Sequence, residues 1–490
     1  MESASHAATP PADSLRDQVR KAVLWRSGSQ IAGQLITWAS TFLVIRILSP
    51  SDYGLYAMTS VVLVLLSLMN GYGLSNALIQ KRETSDRMLR QLFGMLIVLN
   101  GALAILQIAA APLVASYYGQ PRVAQLLQVQ ALIYLTNPFL ALAYAVLSRQ
   151  MDFRKQAQVN LVSGLLAAFA ALGGAMGGLG VWTLVLAPLV GFASRAFGMT
   201  IAARTFIRPS FSFRGAWDLA HYGGMVAVGQ LFWFVQTQAD IVIAGRAFDP
   251  HLLGIYTTSL FLTQLFVNKF VPPINEVAFS AYARVKHDTD AMALGFLKAV
   301  RVLTLIGMPF CLGVAASAQP LVEVVLGPKW AETAPVIALL GFAMPLMMLQ
   351  VLFGPATNAA GQPGIYTKTS IAGAVLLPVA FLIGVHWGAT GIAIAWIAGY
   401  LPLVAISSRW VLPVLAIRLG DFLAALVPPT LAGIAMFVGV KLVEAALPPL
   451  PPVLELAALV AAGGLIYGGW LLAFARERIG EVIDLARRRG

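Results

Sequence analysis

Apolar residues in this chain fall in long blocks separated by short polar turns, not in the alternating pattern of a half-buried strand. Fourteen blocks are long enough for a membrane-crossing helix, which needs about 20 residues. They lie near 24–47, 54–79, 91–116, 123–148, 159–177, 181–203, 219–246, 252–280, 293–316, 332–357, 365–386, 391–412, 422–444 and 453–474. No gap between them is long enough for a soluble domain. The widest, 204–218 with Arg204, Arg208 and Arg214, and 281–292, each have room for a short helix lying on the membrane surface.

Polar residues inside the blocks are not scattered. Span 1 carries Ser27, Gln30, Gln34, Thr37 and Thr41 at spacings of three and four, which is one helix face. Span 7 carries Gln230, Trp233, Thr237 and Asp240 at the same spacings. Span 8 adds Thr257, Gln264, Asn268, Lys269 and Asn275, with Pro272-Pro273 expected to break the helix; span 2 adds Ser60, Ser67 and Asn70. Polar groups in hydrocarbon are costly unless they face one another or water. Such a stripe either glues helices together, at roughly 0.6 kcal/mol per hydrogen-bonded pair, or lines a hydrated cavity. For single Ser and Thr residues the glue is favoured; for the paired stripes of spans 1 and 7 the cavity is. Asp240, deep in span 7, must be protonated, paired or hydrated. Lys269 either snorkels to the surface or offers a cation to an anionic ligand, and Arg46 and Arg246 at the outer span ends pose a similar choice. The glycines Gly173, Gly174, Gly177 and Gly178 form small-xxx-small pairs suited to close helix packing. Asn137-Pro138, Pro345 and Pro378 are expected to kink their spans.

Composition closes off other classes. Of 490 residues, 59% are hydrophobic and 11% charged, against about 25% charged in a soluble domain. Five of the 33 Lys and Arg residues fall on one side of the membrane (Arg46, Arg122, Arg246, Lys329 and Lys441) and Lys269 inside a span; all others fall on the opposite side. By the positive-inside rule that richer side is cytoplasmic, and so are both termini. The net charge of +12 thus reflects basic loops and not a nucleic-acid partner. The polar first 22 residues read as a tail, not a signal peptide. The single Cys311 excludes a disulfide framework. His6, His221, His251, His287 and His386 show no metal-ligand spacing, and no phosphate-binding Gly-Lys-Ser/Thr loop or Gly-x-Ser-x-Gly elbow is present. No cofactor and no metal are called for.

The two halves repeat. Gly33-Gln34-Leu35 matches Gly229-Gln230-Leu231, and Tyr53-Gly54-Leu55-Tyr56 matches Leu253-Gly254-Ile255-Tyr256. Pro112-Leu113-Val114 with Gly119 matches Pro320-Leu321-Val322 with Gly327, and Gly180 matches Gly391. Six helices per unit make the copies parallel, the arrangement of transporters that hold substrate between two lobes. The fold class is therefore all-α: a polytopic membrane protein of about 14 transmembrane helices, two parallel six-helix repeats forming two lobes, plus two extra C-terminal helices. The segments are an N-terminal tail (1–23), a first lobe (24–203), a linker (204–218), a second lobe (219–413), two additional helices (414–475) and a basic tail (476–490).

The turn Arg46-x-Leu48-Ser49-Pro50-x-Asp52-Tyr53-Gly54-x-Tyr56 and the segment Gly73-Leu74-x-x-Ala77-Leu78-Ile79-Gln80 resemble the Wzx-type oligosaccharide flippases, as does the stretch from Asp240 to Tyr256 with Gly245 and Gly254. These belong to the multidrug, oligosaccharidyl-lipid and polysaccharide exporter superfamily. The resemblance implies two lobes around a central cavity. It also implies transfer of an undecaprenyl-diphosphate-linked oligosaccharide across a bacterial inner membrane for O-antigen, capsule or exopolysaccharide synthesis. Expected partners are that lipid-linked oligosaccharide, membrane lipids, and a polysaccharide polymerase with its export machinery. The candidate substrate-binding residues are Gln30, Gln34, Thr37, Arg46, Gln230, Trp233, Thr237, Asp240, Arg246, Gln264, Asn268 and Lys269. A cation-coupled multidrug exporter with Asp240 as the coupling carboxylate remains open. So does, at lower rank, a membrane polymerase or ligase, for which the longest outer loop, 317–331, offers only Glu323, Lys329 and Trp330.

Overall fold

A computed structural model describes residues 33–69, 85–150, 152–212, 217–284 and 288–474. Among these residues all regular structure is helical. The first half contains α1 (Gly33–Ile47), α2 (Pro50–Ser67), α3 (Asp86–Tyr118), α4 (Pro121–Gln130), α5 (Ile133–Arg149), α6 (Phe153–Met176) and α7 (Val181–Ala203). The second contains α8 (Trp217–Ala247), α9 (Pro250–Arg284), α10 (Thr289–Ala316), α11 (Ala318–Val325), α12 (Thr333–Ala359), α13 (Pro363–Gly384) and α14 (Gly388–Val414), followed by α15 (Leu419–Ala446) and α16 (Pro452–Phe474). Nine helical segments among the described residues are long and apolar enough to cross a membrane. The chain is a multi-span, all-α membrane protein.

Each apolar block of the sequence coincides with a helix or the described part of one, because a backbone in hydrocarbon must satisfy its N–H and C=O groups within the segment. Four details differ from the sequence expectation. The Pro272-Pro273 pair does not break its helix: α9 runs through it from Pro250 to Arg284, as α12 runs through Pro345 and Pro355 and α13 through Pro378. Packed neighbours let membrane helices tolerate the missing N–H groups. The linker residues 205–212 carry no helix. α7 ends with Arg204 in the left-handed conformation (φ 53°), and Ser210 N then donates to Arg90 O at 2.8 Å, which holds the strap extended. Loop 317–331 instead folds into α11 and a 3₁₀ turn, Pro328–Trp330. Span 4 is also divided. Leu132, Tyr134 and Leu135 bond the carbonyl three residues back, and this tighter turn separates α4 from α5.

The helices gather into two compact units: residues 1–47, 70–105 and 129–220, and residues 48–69, 106–128 and 221–490. In the first, α7 packs against α6 and α5 through small residues. Gly191 lies over Ala167, and Gly198 over Val159. Of the four-glycine run in α6, Gly174 alone faces α7, at Thr183; Gly173 has open space, Gly177 meets only its own helix, and Gly178 turns the chain at φ 73°. The polar residues here act as glue: Asn137 Nδ2 donates to Asn100 Oδ1 at 2.9 Å and Ser40 Oγ to Ala168 O at 3.0 Å. In the second unit, α15 and α16 dock on α10 through Met308, Leu312, Ala432, Met436, Leu459 and Tyr467, with Tyr467 Oη donating to Leu305 O at 2.8 Å.

Candidate functional site

The N-terminal ends of α2 and α9 are built alike. Ser49 caps α2 in a capping box with Asp52, ahead of Pro50. Asp249 caps α9 ahead of Pro250, accepting from Leu252 N at 2.8 Å. Four residues past each proline stands a glycine, Gly54 and Gly254, and the two helices cross there. A Cβ on Gly54 would collide with Pro250 O, and a Cβ on Gly254 with Pro50 O. The two residues matched in the sequence repeat therefore touch reciprocally, backbone on backbone, in the manner of small-residue membrane interfaces. Other helix ends close around this crossing. Tyr53 meets Trp330 edge-on at 5.5 Å, and Lys329 Nζ donates to Leu48 O at 3.4 Å. Tyr118 packs on Gly245, and Arg246 sits over the Tyr117 ring at 5.8 Å. These contacts explain why residues 48–69 and 106–128 belong to the compact unit of the second half.

Below the crossing lies a buried polar chain. Tyr256 Oη donates to Asp240 Oδ2 at 2.5 Å, and Trp396 Nε1 donates to Tyr256 Oη at 2.8 Å. Trp396 stacks on Tyr400 at 5.5 Å, and Gln236 lies against Gly373. Asp240 and Tyr256 are fully buried. Asp240 is thus paired by a hydroxyl, not by Arg246, and its Oδ1 is buried without a well-formed hydrogen bond. The sequence placed Asp240 in a stripe and Tyr256 in the repeat but did not pair them, and it gave no sign of Trp396; the two partners are 16 and 156 positions away along the chain and reach Asp240 only by helix packing.

The remaining stripe residues divide. Thr37 bonds Gly33 O at 2.9 Å and Thr237 bonds Trp233 O at 2.9 Å, so both hydroxyls are satisfied by their own helices. Gln34, Arg46, Trp233, Arg246, Asn268 and Lys269 are exposed. Gln264 is half-buried, its amide 4.0 Å from Met347 Sδ. Gln30 lies outside the described residues, as does the side chain of Gln230. Trp233, Thr237, Asp240, Arg246, Gln264, Asn268 and Lys269 share one compact unit, and Gln34, Thr37 and Arg46 belong to the other. Among the described residues no cluster of His, Cys, Asp and Glu fits a metal ion.

The repeat extends to the turns. Gly119 (φ 65°) and Gly327 (φ 92°), matched in sequence, both take a positive φ just past the end of a helix. Gly180 (φ 55°) finds its conformational counterpart in Gly388 (φ 71°) and not in Gly391, which lies inside α14 and packs on Gly384.

Comparison with known proteins agrees with this architecture. The succinoglycan biosynthesis transport protein ExoT of Rhizobium meliloti (strain 1021) is 26% identical over 91% of this chain and 90% of its own. The teichuronic acid biosynthesis protein TuaB of Bacillus subtilis (strain 168) is 23% identical over 93% and 95%. The lipopolysaccharide biosynthesis protein WzxC of Escherichia coli (strain K12) is 21% identical over 78% and 79%. The fold is that of the lipid II flippase MurJ in an inward closed conformation, with a TM-score of 0.75 at 13% identity over 93% of this chain and all of that one. It is shared by an inward-facing multidrug transporter of the MATE family, with a TM-score of 0.62 at 14% identity over 78% of this chain and 94% of the other. Residues 43–335 match the sequence profile of one family, and the chain belongs to it: the polysaccharide biosynthesis proteins.

Proposed function

We propose that this protein is a flippase that carries an undecaprenyl-diphosphate-linked oligosaccharide from the cytoplasmic to the outer leaflet of a bacterial inner membrane, with both termini in the cytoplasm. The observation that carries this is the near end-to-end likeness to a succinoglycan biosynthesis transport protein, joined to membership of the polysaccharide biosynthesis family. The two lobes alternate in access. Glycan hydroxyls bond Gln30, Gln34, Gln230, Gln264 and Asn268, Trp233 stacks on a sugar ring, and Lys269 draws the diphosphate from the cytoplasmic side. Exposure of Gln34, Trp233, Asn268 and Lys269 supports this assignment. Export of two negative charges from an inside-negative cell releases about 4.6 kcal/mol per 100 mV, enough to drive the cycle without a coupled ion. Deletion of the gene is expected to accumulate lipid-linked oligosaccharide and abolish the surface polymer. A deletion strain with normal polymer and no accumulated intermediate refutes the function.

A second reading, cation-coupled export, draws on the buried carboxylate of Asp240 with its unsatisfied Oδ1. It requires Asp240→Asn to abolish transport in a protein of normal stability. Unchanged transport by that variant removes it.

A further inference from the structure

On the cytoplasmic side of the first compact unit, the strap 205–212 lies across the start of α3. Ser210 N donates to Arg90 O at 2.8 Å, and Gln91 Nε2 donates to Ser212 O at 2.7 Å. Gly94 leaves room for the Ser210 carbonyl, which any Cβ at that position would strike. Along the strap, side chains alternate. Thr205 is buried and Ile207 half-buried against the α3–α5 core, whereas Phe206 and Arg208 face outward. Between strap and helix lies a cavity of about 430 Å³ lined by Asp86, Arg87, Arg90, Arg208, Pro209 and Ser210. That volume falls in the range of small-ligand pockets. Three guanidinium groups against one carboxylate leave it cationic, and guanidinium matches the oxygens of a phosphate in a bidentate fork.

The strap also carries two strongly exposed aromatic side chains, Phe206 (74% exposed) and Phe211 (58%), one on each side of Arg208. A pocket for a soluble anion has no use for them. At the cytoplasmic boundary of a span, apolar rings beside arginines suit a molecule with a phosphate head and acyl tails. We propose that this cavity is a binding site for the phosphate head group of a resident anionic phospholipid, held by Arg87, Arg90 and Arg208, with its acyl chains against Phe206 and Phe211. The occupant clamps the linker between the two repeats onto α3. This site is separate from the stripe residues assigned to the transported saccharide.

The test uses the whole protein in neutral detergent, titrated with phosphatidylglycerol and followed by native mass spectrometry. Each arginine replaced by glutamine is expected to weaken phosphatidylglycerol binding about fivefold, and all three together about a hundredfold. Phosphatidylcholine is expected to bind weakly to wild type and variant alike. All three side chains are exposed, so the single variants Arg87→Gln, Arg90→Gln and Arg208→Gln serve if the triple variant is poorly produced. Phe206→Ser with Phe211→Ser is expected to weaken phosphatidylglycerol binding while preserving its sensitivity to salt. Equal phosphatidylglycerol affinity in wild type and the arginine variants overturns the site. Displacement of phosphatidylglycerol by equimolar inorganic phosphate overturns the lipid as occupant, and stronger competition by undecaprenyl phosphate reassigns the cavity to the transported lipid.

Discussion

The two ends of α8 and α9 differ sharply. At the C-terminal end of α8 and the N-terminal end of α9, Ala244, Leu253, Tyr256 and Asp240 are fully buried, and Gly54 and Gly254 bring α2 and α9 into backbone contact. Farther along, away from that crossing, the same two helices expose Leu231, Phe232, Trp233 and Phe270, together with Asn268 and Lys269. The crossing end is zipped, whereas these described residues away from it are exposed. The zipped end is held by glycine on carbonyl, ring on ring, Arg246 over Tyr117, Lys329 on a carbonyl, His251 against Glu332 at the surface, and a tyrosine–carboxylate bond. Such a closure can part without stranding an ion pair in hydrocarbon, where breaking a buried pair would cost several kcal/mol. An alternating transporter needs this kind of reversible seam.

The strongest way to break the contrast is at the crossing. Gly54→Leu or Gly254→Leu forces a side chain into the facing proline carbonyl and should cost the closed form about 3 kcal/mol. Export is expected to stop, and a cysteine placed near Tyr53 should become reactive to a membrane-impermeant reagent from outside. Because both glycines serve one contact, the double variant should be little worse than either single one; additive losses would mean that the crossing is not shared. Next comes the buried chain. Tyr256→Phe removes the donor to Asp240 and the acceptor for Trp396 together, and a loss of about 2 kcal/mol in thermal unfolding is expected. At the open end, Lys269→Ala is expected to leave stability unchanged while lowering polymer export several-fold; full export by a correctly inserted variant would remove Lys269 from the substrate site.

The smallest effect lies in the turn before α6. Asp152 accepts from Lys155 N at 3.2 Å and pairs with Lys155 Nζ at 2.8 Å. The Lys155 side-chain bond, then its backbone bond, holds the carboxyl below the usual 3.8. A carboxylate depressed by folding stabilises at neutral pH, and its contribution is lost as the pH falls below 3.8 toward that lowered value. Asp152→Asn should therefore leave the acid limb of the thermal-stability profile slightly flatter. An unchanged profile would show the cap to be fully screened by solvent.

The spans were legible in the sequence because hydrocarbon leaves the backbone a single solution, so the apolar blocks and helices such as α7 (181–203) coincide. The Gly54–Gly254 repeat was legible as well, since close approach demands glycine at both places. The glycine run of α6 was only partly so. The small-xxx-small pattern cannot tell which face meets a neighbour, and Gly174 alone does so there, while Gly191 and Gly198 carry the other side of the interface. Conformation also shifted one repeat match, from Gly391 to Gly388, because sequence identity at a single glycine does not report φ.

What the sequence decided by itself is thus the solvent of the protein and the placing of its apolar helices along the chain. Both follow from local rules of burial and hydrogen bonding. Tertiary structure alone decided the partners: Tyr256 and Trp396 for Asp240, the strap for Arg90, Tyr117 for Arg246. Those pairings depend on how helices distant in the chain rotate and cross, and no spacing along one helix encodes that.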